Sequence, residues 1–175
     1  MLLVMSEAAR KAFACPPATA VVDDIDLALL DPNDEDQRML LIEAEHPKLK
    51  EALDKGIDEV RRGSDVMNPT LHIAMHEIVT NQLWADDPPE VWQTAKRLTE
   101  AGYERHEVFH MLGSVVSGQI WEVMAKQVPS DIERTRAELA ALPGSWEDLR
   151  KQWPLERSRT RARRRAEGRR RKPKR

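Results

Sequence analysis

The chain has 175 residues, enough for one domain of ordinary size, with 41% hydrophobic and 33% charged residues. No run approaches the roughly 18 apolar residues that a membrane-spanning helix needs, and the opening apolar stretch is too short for the core of a signal peptide. We therefore expect a cytoplasmic protein without a membrane partner. Its single cysteine, Cys15, excludes a disulfide within the chain and fits a reducing compartment.

Residues 1–30 show no sustained hydrophobic period, and Pro16-Pro17 would interrupt any helix there. We predict that this segment is mostly disordered. The short apolar run at residues 25–30 is the one part of it that can dock on the rest of the domain.

Residues 31–153 are predicted to form a helical domain, because helix start and stop signals divide them at short intervals. Asn68 and Asp87 each stand as a capping residue before a first-turn proline, and Gly102 provides a helix end. No stretch alternates in hydrophobicity over a usable strand length. The predicted fold class is therefore all-α, a compact bundle of about five to seven helices. The predicted helices cover residues 31–45, 47–63, 69–85, 88–102, 104–127 and 130–142.

Four of the five histidines form two pairs with the same spacing, His72/His76 and His106/His110. Spacing i, i+4 places both imidazoles of a pair on one helix face, where two nitrogens can reach one metal ion. Both pairs border the apolar face of their predicted helix, so two packed helices can bring the four side chains together. The pattern predicts a site for one divalent transition metal, either Zn, Fe, Ni or Mn.

The second pair also fits the His-Glu-x-x-His pattern of zinc hydrolases, since Glu107 follows His106. In that interpretation the two histidines bind zinc, and Glu107 is the general base that takes a proton from zinc-bound water. A catalytic zinc needs a third protein ligand and an open position, and the sequence indicates no substrate cleft. We therefore favour a non-enzymatic domain and keep the metal-dependent hydrolase as an alternative.

A structural role for the histidines is a second alternative. Imidazoles at a helix–helix contact can hydrogen-bond to carboxylates such as those of Glu77, Glu107 or Glu122. With these hydrogen bonds, the buried imidazoles would stabilise a small core without any metal ion.

Residues 154–175 are predicted to be a disordered, arginine-rich tail. Residues 156–175 contain twelve Arg or Lys against two Glu, a local net charge of +10, so the other 155 residues carry −12 for the chain to total −2. Such a tail would bind nucleic acid or another polyanion without reading its sequence. A nucleic-acid- or ribosome-associated accessory protein is therefore a further hypothesis, beside that of an extension without function. The candidate contacts are Arg163, Arg164, Arg165, Arg169, Arg170 and Arg171.

An ordered string of motifs in the middle of the chain resembles one bacterial family. The string runs Asn68-Pro69-x-x-His72-x-x-x-His76-Glu77, Asn81-Gln82-Leu83, Asp87-Pro88-Pro89-Glu90, Arg97-Leu98 and Gly102-x-x-Arg105-His106-Glu107-x-x-His110. It is similar to the domain-of-unknown-function family numbered 1841, and most of all to its actinobacterial members, over roughly residues 40–127. The resemblance implies a small helical domain whose pattern includes the four paired histidines. The resemblance implies no substrate and no peptidase activity, and it does not cover residues 1–30 or the tail.

Overall fold

The computed structural model describes residues 2–62, 65–127 and 131–148. Within these ranges most of the chain is helical, and the helices pack around one main core, which confirms the prediction of a compact helical fold. In chain order the α-helices are α1 (Leu2–Ala14), α2 (Glu35–Ala44), α3 (Pro47–Asp54), α4 (Pro69–Ala85), α5 (Pro89–Glu100), α6 (Arg105–Lys126) and α7 (Ile132–Ala141), and a short 3₁₀ helix (Leu27–Leu29) precedes α2. Two antiparallel hairpins pair β1 (Val21–Val22) with β2 (Ile25–Asp26) and β3 (Val60–Arg62) with β4 (Asp65–Met67).

Several helix ends lie where the sequence predicts them, because their capping side chains satisfy free backbone groups. The side-chain oxygen of Asn68 accepts a hydrogen bond from the backbone N–H of Leu71 at 2.8 Å, and Pro69 fills the first turn of α4. Gly102 follows the last residues of α5 with φ +94°, the left-handed conformation that ends a helix. At α7 the cap is Asp131, one residue after the predicted start of the helix.

Other helix ends differ from the prediction. The helix predicted from residue 31 begins at Glu35, after Asp34, whose side chain caps it by accepting a hydrogen bond from the backbone N–H of Gln37. The N-cap of α5 is Pro88 and not Asp87, and it makes no side-chain cap hydrogen bond. Helix α3 ends at Asp54 instead of continuing to residue 63, because Gly56 with φ +63° takes the left-handed conformation just after it.

The hairpins were not predicted from the sequence. Each strand has two or three residues, too few for an alternating pattern to be recognised. The β3–β4 hairpin occupies part of the predicted helix over residues 47–63 and leads directly to Asn68, the cap of α4.

The N-terminal segment also differs from the prediction of disorder. Helix α1 packs along α4, and the guanidinium of Arg10 donates hydrogen bonds to the carbonyl oxygens of Leu83 and Trp84 in the last turn of α4. Ala14 joins the main core with 1% of its surface exposed. Tertiary packing therefore orders a helix that has no clear hydrophobic period of its own. The proline pair after it ends the helix, as expected.

Helices α4 and α6 lie side by side at the centre of the domain. Val79 and Leu83 of α4 and Met111 and Leu112 of α6 have at most 1% of their surface exposed. The two helices approach closely at Gly113, where an added Cβ would lie 2.7 Å from the terminal methyl carbon of Met75. Among the described helices, none combines the length and the apolar character needed to cross a membrane.

Candidate metal centre

All five histidines of the chain lie in one cluster, which we call the histidine cluster. The rings of His72, His76 and His106 form a triangle with centroid distances of 4.7, 5.0 and 6.2 Å. The ring of His46 is 4.3 to 5.2 Å from each of these three. The ring of His110 is 4.5 to 5.5 Å from the same three. The structure therefore brings together the four histidines singled out in the sequence and adds the fifth.

The helix pair α4 and α6 positions the four predicted histidines. His72 and His76 occupy successive turns of α4, and His106 and His110 occupy the first turns of α6. The close packing of these helices at Gly113 places the two i, i+4 pairs on facing surfaces.

His46 reaches the histidine cluster from the junction between α2 and α3, where it is the N-cap residue of α3. It makes no side-chain cap hydrogen bond; its Nδ1 instead donates to the carbonyl oxygen of Ile42 at 2.9 Å. This leaves Nε2 as the nitrogen with the free lone pair. Sequence reasoning missed His46 because it has no histidine one turn away. The available signal was its position before Pro47, a place where Ser, Thr, Asp or Asn is the preferred capping residue.

One nitrogen from each of His46, His72, His76 and His106 lies within 4.8 Å of the other three. In a tetrahedral site with metal–nitrogen bonds of about 2.1 Å, the ligand nitrogens lie about 3.4 Å apart. Small side-chain rotations would therefore let these four nitrogens contact a single ion. His110 is not one of the four, and its ring also lies 6.4 Å from that of Trp146.

A family model described as a domain of unknown function (DUF1841) matches residues 30–140. The chain belongs to this family. The match includes all five histidines and confirms the resemblance seen in the sequence, whereas α1 and the β1–β2 hairpin lie before it. No curated protein and no solved structure matches the chain.

Burial within the DUF1841 domain differs across the histidine cluster. His76 and His46 are buried, with 5% and 7% of their surfaces exposed, while His72 and His110 are half-buried and His106 is exposed. The Nε2 atoms of His46, His72 and His76 are buried and have no hydrogen-bond partner among the described residues. The cluster thus extends from the core to the surface.

Burial also sets the charge state of the two histidines on α4. It lowers the pKa of His72 to about 3 and that of His76 to about 2, and the surrounding imidazoles lower both further by repelling a positive charge. Both rings are therefore neutral near pH 7, which is the form of imidazole that binds a metal ion.

Among the described residues, the carboxylates proposed as structural partners do not reach the buried Nε2 atoms of His72 and His76. His46 donates to a backbone carbonyl oxygen, and the buried Nε2 atoms of His72 and His76 have no partner in the described part of the DUF1841 domain. Glu107 lies in the first turn of α6 and is half-buried. The side chain of Glu122 lies outside what the structure describes.

The predicted polyanion-binding tail also lies outside the described residues, which end at residue 148. This applies to all six arginines named for nucleic-acid contact, Arg163, Arg164, Arg165, Arg169, Arg170 and Arg171.

Proposed function

We propose that this DUF1841 domain binds one divalent transition-metal ion through His46, His72, His76 and His106. The observation that carries the proposal is the convergence of all five histidines, among which His46, His72 and His76 bury an Nε2 without a hydrogen-bond partner in the described part of the chain. A buried polar atom without a partner costs roughly 1–3 kcal/mol. A bound ion would use these lone pairs and remove that cost.

The chemistry of the donors narrows the choice of metal. The four nitrogens within reach of one another all belong to imidazoles, with no carboxylate or thiolate in the set. Imidazole suits Zn, Cu, Fe and Ni, whereas Mn, Mg and Ca favour oxygen ligands. The proposal therefore keeps the predicted Zn, Fe and Ni, adds Cu, and gives Mn the lowest affinity.

The change in burial across the cluster suggests how an ion would reach the site. His46 and His76 form its buried side, and the exposed His106 lies at the surface. An ion arriving from solvent would meet His106 first and then contact the buried rings of His46 and His76. The ring of His110, 4.5 Å from that of His106, is near enough to add a fifth ligand.

Metal content is the direct test. Protein without an affinity tag is stripped with a chelator, incubated with Zn²⁺, Ni²⁺, Cu²⁺ or anaerobic Fe²⁺, desalted and analysed for metal. We expect about one ion per chain in the wild type and a large loss in His76→Ala, which removes the most buried ring. Cys15→Ala is the matched control, because it removes the chain's single thiol from a separate small core. A wild type that stays empty with all four metals would overturn the proposal.

A further inference from the structure

Arg105 precedes His106 in the chain and connects three segments of the domain. Its Nε donates a hydrogen bond to the carbonyl oxygen of Phe13 at 2.6 Å, and one terminal nitrogen donates to that of Ala14 at 2.8 Å. The other terminal nitrogen donates to Oε2 of Glu45 at 2.8 Å. The guanidinium thus joins the end of α1 and the end of α2 to the start of α6.

Two residues in these contacts are direct chain neighbours of clustered histidines. Glu45 is the C-cap residue of α2 and immediately precedes His46, just as Arg105 immediately precedes His106. The ion pair between Glu45 and Arg105 therefore holds together the two chain segments that carry His46 and His106. In their side chains, 32% and 26% of the surface is exposed, so the pair is only partly screened by water.

Arg105 also contacts an aromatic ring that stacks on a third histidine. Its guanidinium carbon lies 4.4 Å from the ring centre of Phe109. The Phe109 ring in turn stacks on His76, with 5.4 Å between centroids and 17° between planes. One side chain is therefore linked to three of the four histidines whose nitrogens lie within reach of a single ion.

We propose that Arg105 and Glu45 are positioning residues of the metal centre, and that they couple the docking of α1 to metal affinity. The inference rests on the proposed metal-binding function. His46 and His106 come from separate segments, so their spacing depends on what fixes those segments to each other. The flat, forked guanidinium can bind two carbonyl oxygens and a carboxylate at once, which the single ammonium group of lysine cannot reproduce.

Coupling of this kind acts in both directions. If docked α1 holds Arg105 in the position that favours the metal, then the bound metal must stabilise docked α1 by the same factor. Amide hydrogen exchange in α1 should therefore slow when the wild type is loaded with Zn²⁺. In Arg105→Gln the same addition of Zn²⁺ should have little effect on α1, because the connection has been removed.

The first measurement is Zn²⁺ affinity, determined by competition with a chromophoric chelator, for Arg105→Gln, Arg105→Lys and Glu45→Gln. We expect each to bind roughly tenfold to 100-fold more weakly than the wild type, the usual effect of removing a group that orients metal ligands. The matched controls are Arg136→Gln and Glu90→Gln, which break an ion pair of 2.7 Å between α7 and α5. These controls should change the affinity by less than about threefold.

A double-variant comparison separates positioning from general loss of stability. If Glu45 acts through His46, then Glu45→Gln should change the Zn²⁺ affinity much less in a His46→Gln background than in the wild type. Equal effects in both backgrounds would overturn the inference. So would wild-type affinity in Arg105→Gln and Glu45→Gln. A wild type that binds no metal would instead overturn the proposed function, and this inference with it.

Discussion

The imidazole of His46 packs edge-on against that of His76, with 4.3 Å between ring centroids and 68° between ring planes. One ring comes from the cap of a short helix and the other from the middle of the central helix α4. This contact places a fifth histidine in the cluster and changes which side chains we expect to bind a metal most strongly.

His46→Gln should weaken Zn²⁺ binding more than His110→Gln does. The nitrogen of His46 lies within 4.8 Å of the other three, whereas His110 is outside that set. We expect a loss of about 100-fold for His46→Gln and of less than about tenfold for His110→Gln. Chelator competition on both variants measures the difference. A larger loss in His110→Gln would favour the two His-x-x-x-His pairs as the ligand set, without His46.

The metal-free protein should lose stability as the pH falls below 6.5, the ordinary pKa of histidine. In the folded state the pKa values of His72 and His76 are about 3 and about 2. Between these values and pH 6.5, both side chains are protonated in the unfolded chain but remain neutral in the folded protein. Stability is therefore fully present above pH 6.5 and falls as the pH drops towards the folded pKa values. Each group contributes at most about 1.4 kcal/mol per pH unit.

Urea unfolding of chelator-treated protein, at several pH values from about 7.5 to about 5.5, tests this pH dependence. His72→Gln/His76→Gln should show a smaller decrease in the free energy of unfolding than the wild type over that range. Equal decreases in both proteins would mean that other groups cause the loss.

Glu107→Gln should leave metal content and affinity close to those of the wild type, because no carboxylate belongs to the four-residue ligand set. The same variant tests the hydrolase alternative, in which Glu107 is the general base and metal-dependent hydrolysis disappears without it. Screening metal-loaded wild type and Glu107→Gln with ester, amide and phosphoester substrates provides the measurement. Hydrolysis by the wild type alone would establish an enzyme.

Gly113→Ala should destabilise the domain relative to Gly118→Ala, although both substitutions lie in α6. An added Cβ at Gly113 meets the terminal carbon of Met75 at 2.7 Å, whereas Gly118 has no atom within 4 Å of the added position. Moving Met75 would also disturb its sulfur, which accepts a 2.7 Å hydrogen bond from Ser117. Because the contacted atom is the flexible end of Met75, we expect the free energies of unfolding to differ by no more than about 1 kcal/mol. Equal denaturant midpoints would show that the methionine adjusts freely.

Deletion of residues 156–175 should remove most binding to RNA or DNA, because this segment carries a net charge of +10 while the rest of the chain is acidic. The full chain should bind a single-stranded oligonucleotide with an affinity that falls steeply with salt concentration. Fluorescence anisotropy at two salt concentrations measures both effects. Binding that survives the deletion with the same salt dependence would rule out the tail as the contact.

Features encoded locally were predictable from the sequence, and features that depend on distant contacts were not. Helix α4 was predicted with its cap and both of its histidines, because Asn68-Pro69 and the i, i+4 spacing lie within one helix. His46 was missed, because only the packing of the α2–α3 junction against α4 brings it to the other rings. Arg105 belongs to the family motif, but its contacts could not be predicted, since its hydrogen-bond partners are Phe13, Ala14 and Glu45.

Helix α1 lies before the residues matched by the family model, and yet Ala14 and Phe13 pack into the main core and Arg10 binds the last carbonyl oxygens of α4. A fragment of residues 30–140 would leave that face of α4 uncovered, and we expect it to self-associate. In an obligate dimer, a second subunit covers such a face. Here α1 of the same chain covers that face. The region shared by the family is therefore shorter than the unit that we expect to fold stably.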